Sequence, residues 1–342
     1  MIPKSVQRFS EKIMLQQQML ISGGNMKRLF GALAALTLFA VPADAADSIK
    51  VVVPFAAGGP VDTAARIMAA RLSENLGQQV IVENVAGAGG TLGSNRVVRA
   101  EPDGYTLLLH HLGLATAVTL YRKLPFDPTT DLKPVGVVSD ANMAIIARPD
   151  YPPNTLAEVI ADIKARGDHV TFAHSGLGAA SQLCGMLFMA AVQKQMNVVP
   201  FRGGGPVLQA LMGKQIDLGC EQATTAAPLV QANSVKSYAV TSAKRLPSMP
   251  NVPTAAEAGL TGMEISVWHG IYVPAKTPDP IVQVLTKALA EALKSPALAS
   301  RFADIATDPT PDKATPQILR ETLKSEIDRW RPMITAVGQY AD

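Results

Sequence analysis

Short β-branched runs alternate with helical stretches along most of this chain, and no other feature narrows its fold as much. Ile49-Lys50-Val51-Val52-Val53 reads as a buried strand. From Gly58 to Leu76, Ala65, Met68, Ala69, Leu72 and Leu76 recur at helical spacing. Val80-Ile81-Val82-Glu83 is a second strand, Gly87-Ala88-Gly89-Gly90 opens a second helix toward Ala100, and residues 105–109 form a third strand. That β-α-β-α-β order argues for a parallel sheet covered by helices. A second series begins near residue 150. It holds a helix over 155–166 with Thr155 as N-cap, a strand at 170–173, a helix over 178–194, a strand at 198–199, a helix over 206–212, and strands at 216–218 and 238–241. Pro247, Pro250 and Pro253 punctuate the chain before a strand over 265–273 and the closing helices, the last spanning 316–337. Two series and a return segment predict two lobes. The break at 139–149 is the expected hinge, crossed again near 236–245.

The chain has 342 residues, enough for two domains of ordinary size. With 48% hydrophobic and 17% charged residues it is not of disordered composition. No apolar run reaches the roughly 20 residues of a membrane span. Residues 26–45 carry Lys27-Arg28, an apolar stretch from Leu29 to Val41, and the small-x-small site Ala43-Asp44-Ala45. This is the pattern of a secretory signal peptide cleaved after Ala45, with Met26 as the initiator and residues 1–25 as an upstream extension. The first 45 residues hold five basic and two acidic side chains, so the remainder has 26 of each and is formally neutral. A nucleic-acid partner would call for a basic excess, and none is left.

Pro54-Phe55-Ala56-Ala57-Gly58-Gly59-Pro60-Val61 returns as Pro200-Phe201-Arg202-Gly203-Gly204-Gly205-Pro206-Val207, identical at six of eight positions. Each copy follows a strand and opens a helix, one in each expected lobe. Ligands of open α/β sheets sit beyond the carboxyl ends of the strands. Those ends carry Phe55 to Gly59, His110-His111, His174-Ser175-Gly176, Arg202-Gly203-Gly204 and Glu221-Gln222. Gly-rich turns at 56–62, 174–181 and 202–206 lead into helix N-termini, whose unpaired N–H groups and positive dipole end hold an anion without a lysine. A small anion is therefore the natural guest, and Arg202 is placed to pair with a carboxylate. Asp62 falls in a first helical turn, where a carboxylate also serves as a cap. Glu221 suits an amine or a hydroxyl, or repels excess negative charge. Trp268 fits core filling or an apolar wall.

Other chemistries find no pattern. Gly176-Leu177-Gly178-Ala179-Ala180-Ser181 lacks the third glycine of a dinucleotide fingerprint, and no phosphate-binding GxxxxGK[ST] occurs. No HExxH supports a metal and no GxSxG a serine hydrolase. Two cysteines exclude a disulfide scaffold. Export permits a Cys184–Cys220 disulfide, but spacing leaves that pairing open.

Taken together, VVVPFAAGGPVDTAAR, VIVENVAGAGGTLGSN, PDGYTLLL, LPFDP, VPFRGGGPVLQALMGKQIDL, AVTSAKRLPSMPNVPTAAEAG and WHGIYVPAKTP closely resemble the Bug-type solute receptors of tripartite tricarboxylate transporters, from about Ile49 to the C-terminus. The resemblance implies an α/β, two-lobed periplasmic-binding-protein type II fold, with mixed sheets flanked by helices. Residues 46–145 and 242–342 would form lobe 1 and residues 146–241 lobe 2. It implies capture of a small carboxylate or dicarboxylate by backbone amides of both lobes, without catalysis, metal or cofactor. Phe55, Ala56, Gly58, Gly59 and Asp62 would stand on one side, and Ser175, Gly176, Gly178, Ala179, Ser181 and Gln182 on the other, with Arg202 and Gly203 nearby. Departures from the family pattern are Pro60-Val61, His110-His111-Leu112, Gln182 where His is common, and Glu221 where Asp is common. Discrimination at the far end of the ligand is thus expected from His110, His111, Arg202 and Glu221. The expected protein is a periplasmic monomer that serves membrane transporter subunits. The competing reading is a ligand-sensing subunit that presents its closed form to a membrane sensor kinase. N-terminal sequencing of the exported protein is expected to begin at Ala46; an intact 1–25 segment would contradict the signal-peptide assignment.

Overall fold

The β-branched run at Ile49–Val53 (β1) lies between two parallel neighbours. In the computed structural model, which describes residues 48–338 and 340–341, β1 pairs with Val80–Asn84 (β2) and with Thr106–His111 (β3). The upstream extension, the signal peptide and its cleavage site lie outside the described residues. Helix α1 (Pro60–Leu76) starts on Pro60, whose missing N–H costs nothing in a first turn, and stops at Gly77 in the left-handed region. Its Met68, Leu72 and Leu76 bury against β1 and against Leu285 and Leu289 of a later helix. Each such side chain contributes roughly 1.5–3 kcal/mol. Helices α2 (Thr91–Val98) and α3 (Gly113–Leu120) flank the same strands.

The longest strand, β4 (Leu132–Ala147), has sixteen residues. The second series follows it: α4 (Leu156–Arg166), β5 (Thr171–His174), α5 (Ala180–Val192), β6 (Asn197–Pro200), α6 (Gly204–Met212), β7 (Leu218–Gln222), α7 (Ala223–Gln231) and β8 (Lys236–Val240). Then β9 (Ser266–Pro274), α8 (Asp279–Leu293), α9 (Pro296–Asp304), β10 (Thr307–Pro309) and α10 (Pro316–Val337) complete the fold. Strand order is β2-β1-β3-β9-β4-β7-β5-β6, with β8 and β10 also on β4. Along β4 the partners change. Leu132 to Asn142 pair with β9 and β10, whereas Met143 to Ala147 pair with β7 and β8.

Several expected elements move. Residues 139–149, expected to be a break, belong instead to β4 as far as Ala147. The polar residues that suggest a break are satisfied in place: Ser139 Oγ lies 3.1 Å from His269 Nδ1, and Asp140 accepts from Lys313 and Ser266. Strand β7 begins at Leu218 and runs on to Gln222, which puts Glu221 inside it. Helix α5 starts at Ala180, because Gly178 has φ of 76° and cannot be helical. Helix α3 has no polar face to produce a periodic stripe; six of its eight residues are buried.

Cys184 on α5 and Cys220 on β7 form a disulfide with a Cα separation of 6.1 Å, which settles the pairing that spacing leaves open. It ties the helix to the strand across 36 residues of sequence, one turn beyond Ser181 and one residue before Glu221. Replacing both cysteines by serine is expected to lower the urea midpoint by the equivalent of about 3–4 kcal/mol, from loop-closure entropy restored to the unfolded chain.

Candidate functional site

The two copies of the recurrent sequence face one another across a single cavity of about 720 Å³. Residues 54–61 line one wall and residues 201–206 the opposite wall. They are not backbone duplicates. The first copy turns through Gly58 (φ 78°) and enters α1 at Pro60, whereas the second turns through Gly203 (φ 112°) and enters α6 at Gly204. Both glycines occupy conformations closed to other side chains. Residues 86–90 and the turn at 175–181 fill the remaining sides.

Four helices, α1, α5, α6 and α7, begin at this cavity, and none has a side-chain cap. Away from it, α4 and α10 are capped by Thr155 and Thr315, each accepting an N–H bond at 3.2 Å, while α8 and α9 start without a side-chain cap. The first-turn N–H groups of Val61, Ala180, Ser181, Gly204 and Gly205 find no acceptor among the described residues, and all five residues line the cavity. Uncapped N–H groups that converge at the positive ends of helix dipoles favour an anion.

Glu221, 3% exposed, is the one acidic residue lining the cavity among the described residues. A directed relay reaches it. Ser175 N–H donates to Ser181 Oγ at 2.8 Å, Ser181 Oγ donates to Ser175 Oγ at 2.9 Å, and Ser175 Oγ donates to Glu221 Oε1 at 2.8 Å. Burial pushes the Glu221 carboxyl up to about 7, and the Ser175 hydrogen bond only partly opposes this. Beside it, Gln222 also lines the cavity, and its buried Oε1 has no partner among the described residues.

Twelve of the sixteen expected site residues line the cavity: Phe55, Ala56, Gly58, Gly59, His111, Ser175, Gly176, Ala179, Ser181, Arg202, Gly203 and Glu221. Arg202 is exposed at its edge. His111 stacks on Phe55 with ring centroids 4.5 Å apart. Its Nδ1 accepts from Gly113 N–H at 2.7 Å, so the neutral ring carries its hydrogen on Nε2. Burial, with His110 and His269 adding to it, holds His111 well below the usual imidazole range.

The other four stand behind the wall. Asp62 accepts from Gly58 N–H, Asn84 and Arg66, all at 2.9 Å, and so braces the first turn instead of facing its contents. His110 packs beneath Gly90, where an added Cβ would come within 2.9 Å of its Nε2. Gly178 N–H is taken by Gln182 Oε1 at 2.7 Å, which turns both residues inward. Trp268 is part of the core. The expected set omits the Gly87–Gly90 loop and Gln222. Both had a signal in the sequence: the glycine run at 87–90, and the place of Gln222 beside Glu221 at a strand end.

A family model for the tripartite tricarboxylate transporter family receptor matches residues 64–339. This chain belongs to that family. The protein in the TAR-I ttuE-ttuC' intergenic region of Agrobacterium vitis is 42% identical over 318 residues, covering 91% of this chain and 92% of that one. The solved periplasmic binding protein BugD superposes with a TM-score of 0.81 at 40% identity, over 86% of this chain and 98% of BugD. MatC of Rhodopseudomonas palustris, solved with bound malate, superposes with a TM-score of 0.79 at 38% identity, over 84% and 98%. The protein is thus a Bug-type solute-binding receptor with the two-lobed periplasmic-binding-protein fold, in a family whose members take small carboxylates and work with membrane transporter subunits. Among the described residues no helix is long and apolar enough to cross a membrane.

Asp62 yields a pH test of the first turn. Burial raises its carboxyl, but the Arg66, Gly58 and Asn84 hydrogen bonds outweigh burial and hold it below the usual range. A depressed carboxyl contributes stability that is present above its unfolded value, near ~3.9, and lost as pH falls through its folded value. Asp62→Asn is expected to cost about 1–2 kcal/mol at neutral pH, since Arg66 is half exposed and screened. In urea melts that difference should shrink as pH drops below about 4.

Proposed function

We propose that this receptor captures a small dicarboxylate in the cavity between the two glycine turns. One carboxylate rests on the uncapped N–H groups of α1, α5 and α6, and the distal end reaches His111, Arg202 and Glu221. The single observation that carries the reading is the convergence of four uncapped helix starts on one cavity. Malate bound to MatC supports the ligand class. Binding without turnover is the function assigned here, in keeping with the receptor family the chain belongs to. The lobes are taken as 46–145 with 242–342, and 146–241. The change of partners along β4 supports that division, falling between Asn142 and Met143, close to the first boundary. The mature protein is exported, cut after Ala45, and works as a periplasmic monomer that hands its ligand to membrane transporter subunits. Nothing in the fold or its relatives favours the sensor-kinase reading.

A thermal-shift screen of malate, succinate, citrate, benzoate and a neutral sugar tests the reading. A dicarboxylate at about 100 times its Kd is expected to stabilise the native state by about 2.7 kcal/mol, while the sugar does nothing. A wild-type melt unmoved by every acid would defeat it. Gly205 supplies a matched control: it lines the cavity, and a Cβ there meets nothing within 4 Å. Gly205→Leu is expected to keep its unliganded melting temperature and lose the ligand-induced shift.

A further inference from the structure

Two carboxylate-bearing species meet in this cavity if the ligand is a dicarboxylate: the ligand and Glu221. The ligand brings only acceptors, and an ionised Glu221 is also acceptor-only. Face to face in the cavity they repel. Ser181 accepts from the Ser175 amide and donates to Ser175 Oγ, and Ser175 Oγ donates to Glu221 Oε1. With Oε1 taken by this bond, Oε2 is the oxygen left to carry a proton. Oε2 accepts no hydrogen bond among the described residues. It lies beside Gly204, where an added Cβ would come within 3.0 Å of it. Glycine at the start of α6 thus leaves no side chain over Oε2 at that point.

We propose that Glu221 meets the distal carboxylate as a protonated acid, its Oε2–H donating to the ligand, so that capture of each dicarboxylate takes up one proton from solvent. This rests on the dicarboxylate reading and adds the proton to it. The resulting O–H···O⁻ bond is of the short, charge-assisted kind. Burial already favours the protonated form in the empty protein. The charged and titratable groups around Glu221 are few. From β3 comes His111, neutral over the working range, and from the 201–203 turn comes Arg202, which makes no ion pair with Glu221. The α5 turn contributes Ser175 and Ser181; His174 ends β5 beside them, held below the usual imidazole range by burial; and β4 presents Met143, Ala144 and Ile145 across β7.

Calorimetric titration of malate between about pH 6.5 and about pH 9, in buffers of different ionisation enthalpy, reads the proton directly. Malate stays doubly ionised there, so its own titration does not intrude. Wild type is expected to take up close to one proton per malate near pH ~8, with affinity falling up to about tenfold per pH unit above ~7. Glu221→Gln, whose amide donates without titrating, is expected to bind malate with no proton uptake and a level pH profile. Ser175→Ala removes the bond that favours the ionised form, so the fall should begin at higher pH. Level affinity and no proton uptake in wild type overturn the proposal and leave the dicarboxylate reading standing. So does a preference for aspartate over malate that Glu221→Gln abolishes, since that requires an ionised Glu221 on an ammonium group. Absence of malate binding at every pH overturns the dicarboxylate reading, and the proposal with it.

Discussion

Strand β4 is hydrogen-bonded into both halves of the molecule, and the cavity exists because of it. Its first eleven residues carry β9 and β10, and through β9 the parallel trio β3, β1 and β2. Its last five carry β7 and β8, and through β7 the pair β5 and β6. The carboxyl end of β1 and the end of β6 thereby come to opposite sides of one space, although 147 residues separate Val53 from Pro200. Without a shared strand, two glycine turns of like sequence would be two surface loops. The apolar core also runs through this strand: Met143 and Ile145 belong to the same cluster as Trp330 of α10 and Phe188 of α5. The shared strand sets the distance over which a ligand must bridge in this structure.

The recognition surface is made mostly of backbone. In the proposed reading, helix dipoles and first-turn N–H groups provide an anion site whose geometry is set by the fold and not by rotamers, so no side-chain entropy is lost when the anion arrives. Glycines and alanines keep the walls low enough for a ligand to touch the main chain. The cost is that the proximal site reads little beyond a carboxylate. Side chains able to tell one acid from another are correspondingly few: His111, Arg202, Glu221 and Gln222 among those lining the cavity.

Much of this was legible in the sequence, for identifiable reasons. Strong β-branched runs and an amphipathic α1 announce themselves because one face of each is buried. The recurrent turn was visible as sequence, and its position after a strand and before a helix pointed at a ligand. What escaped has a physical cause in each case. The sixteen-residue β4 was obscured by Ser139, Asp140 and Asn142, polar residues tolerated because His269, Lys313 and Ser266 answer the first two. The inward placement of Asp62, His110, Gly178 and Gln182 was not readable, since a residue next to a ligand and a residue bracing that neighbour have the same spacing. Asp62 is the clearest instance: first-turn position fits either role, and only its three donors decide it.

Asp62 and Glu221 also show how one cavity can assign opposite duties to two carboxyl groups. Asp62 is surrounded by donors from Gly58, Asn84 and Arg66, which favour its ionised form and lock the backbone of the first turn. Glu221 receives a single hydroxyl donor at a site where burial is the dominant influence, which favours its neutral form. The difference lies in donor count and dryness, not in residue type. Ionised, Asp62 adds a negative charge on the far side of the turn, where Arg66 balances it and the ligand does not meet it. An ionised Glu221 would stand in the cavity itself and oppose the positive helix ends that draw the anion in. In the proposed reading, a turn held by a charged acid and a chamber lined by an uncharged one are complementary requirements of the same anion site. The disulfide between Cys184 and Cys220 ties the helix that carries Ser181 to the strand that carries Glu221, and Ser175, bonded to both, is the one group that favours ionisation of that carboxyl.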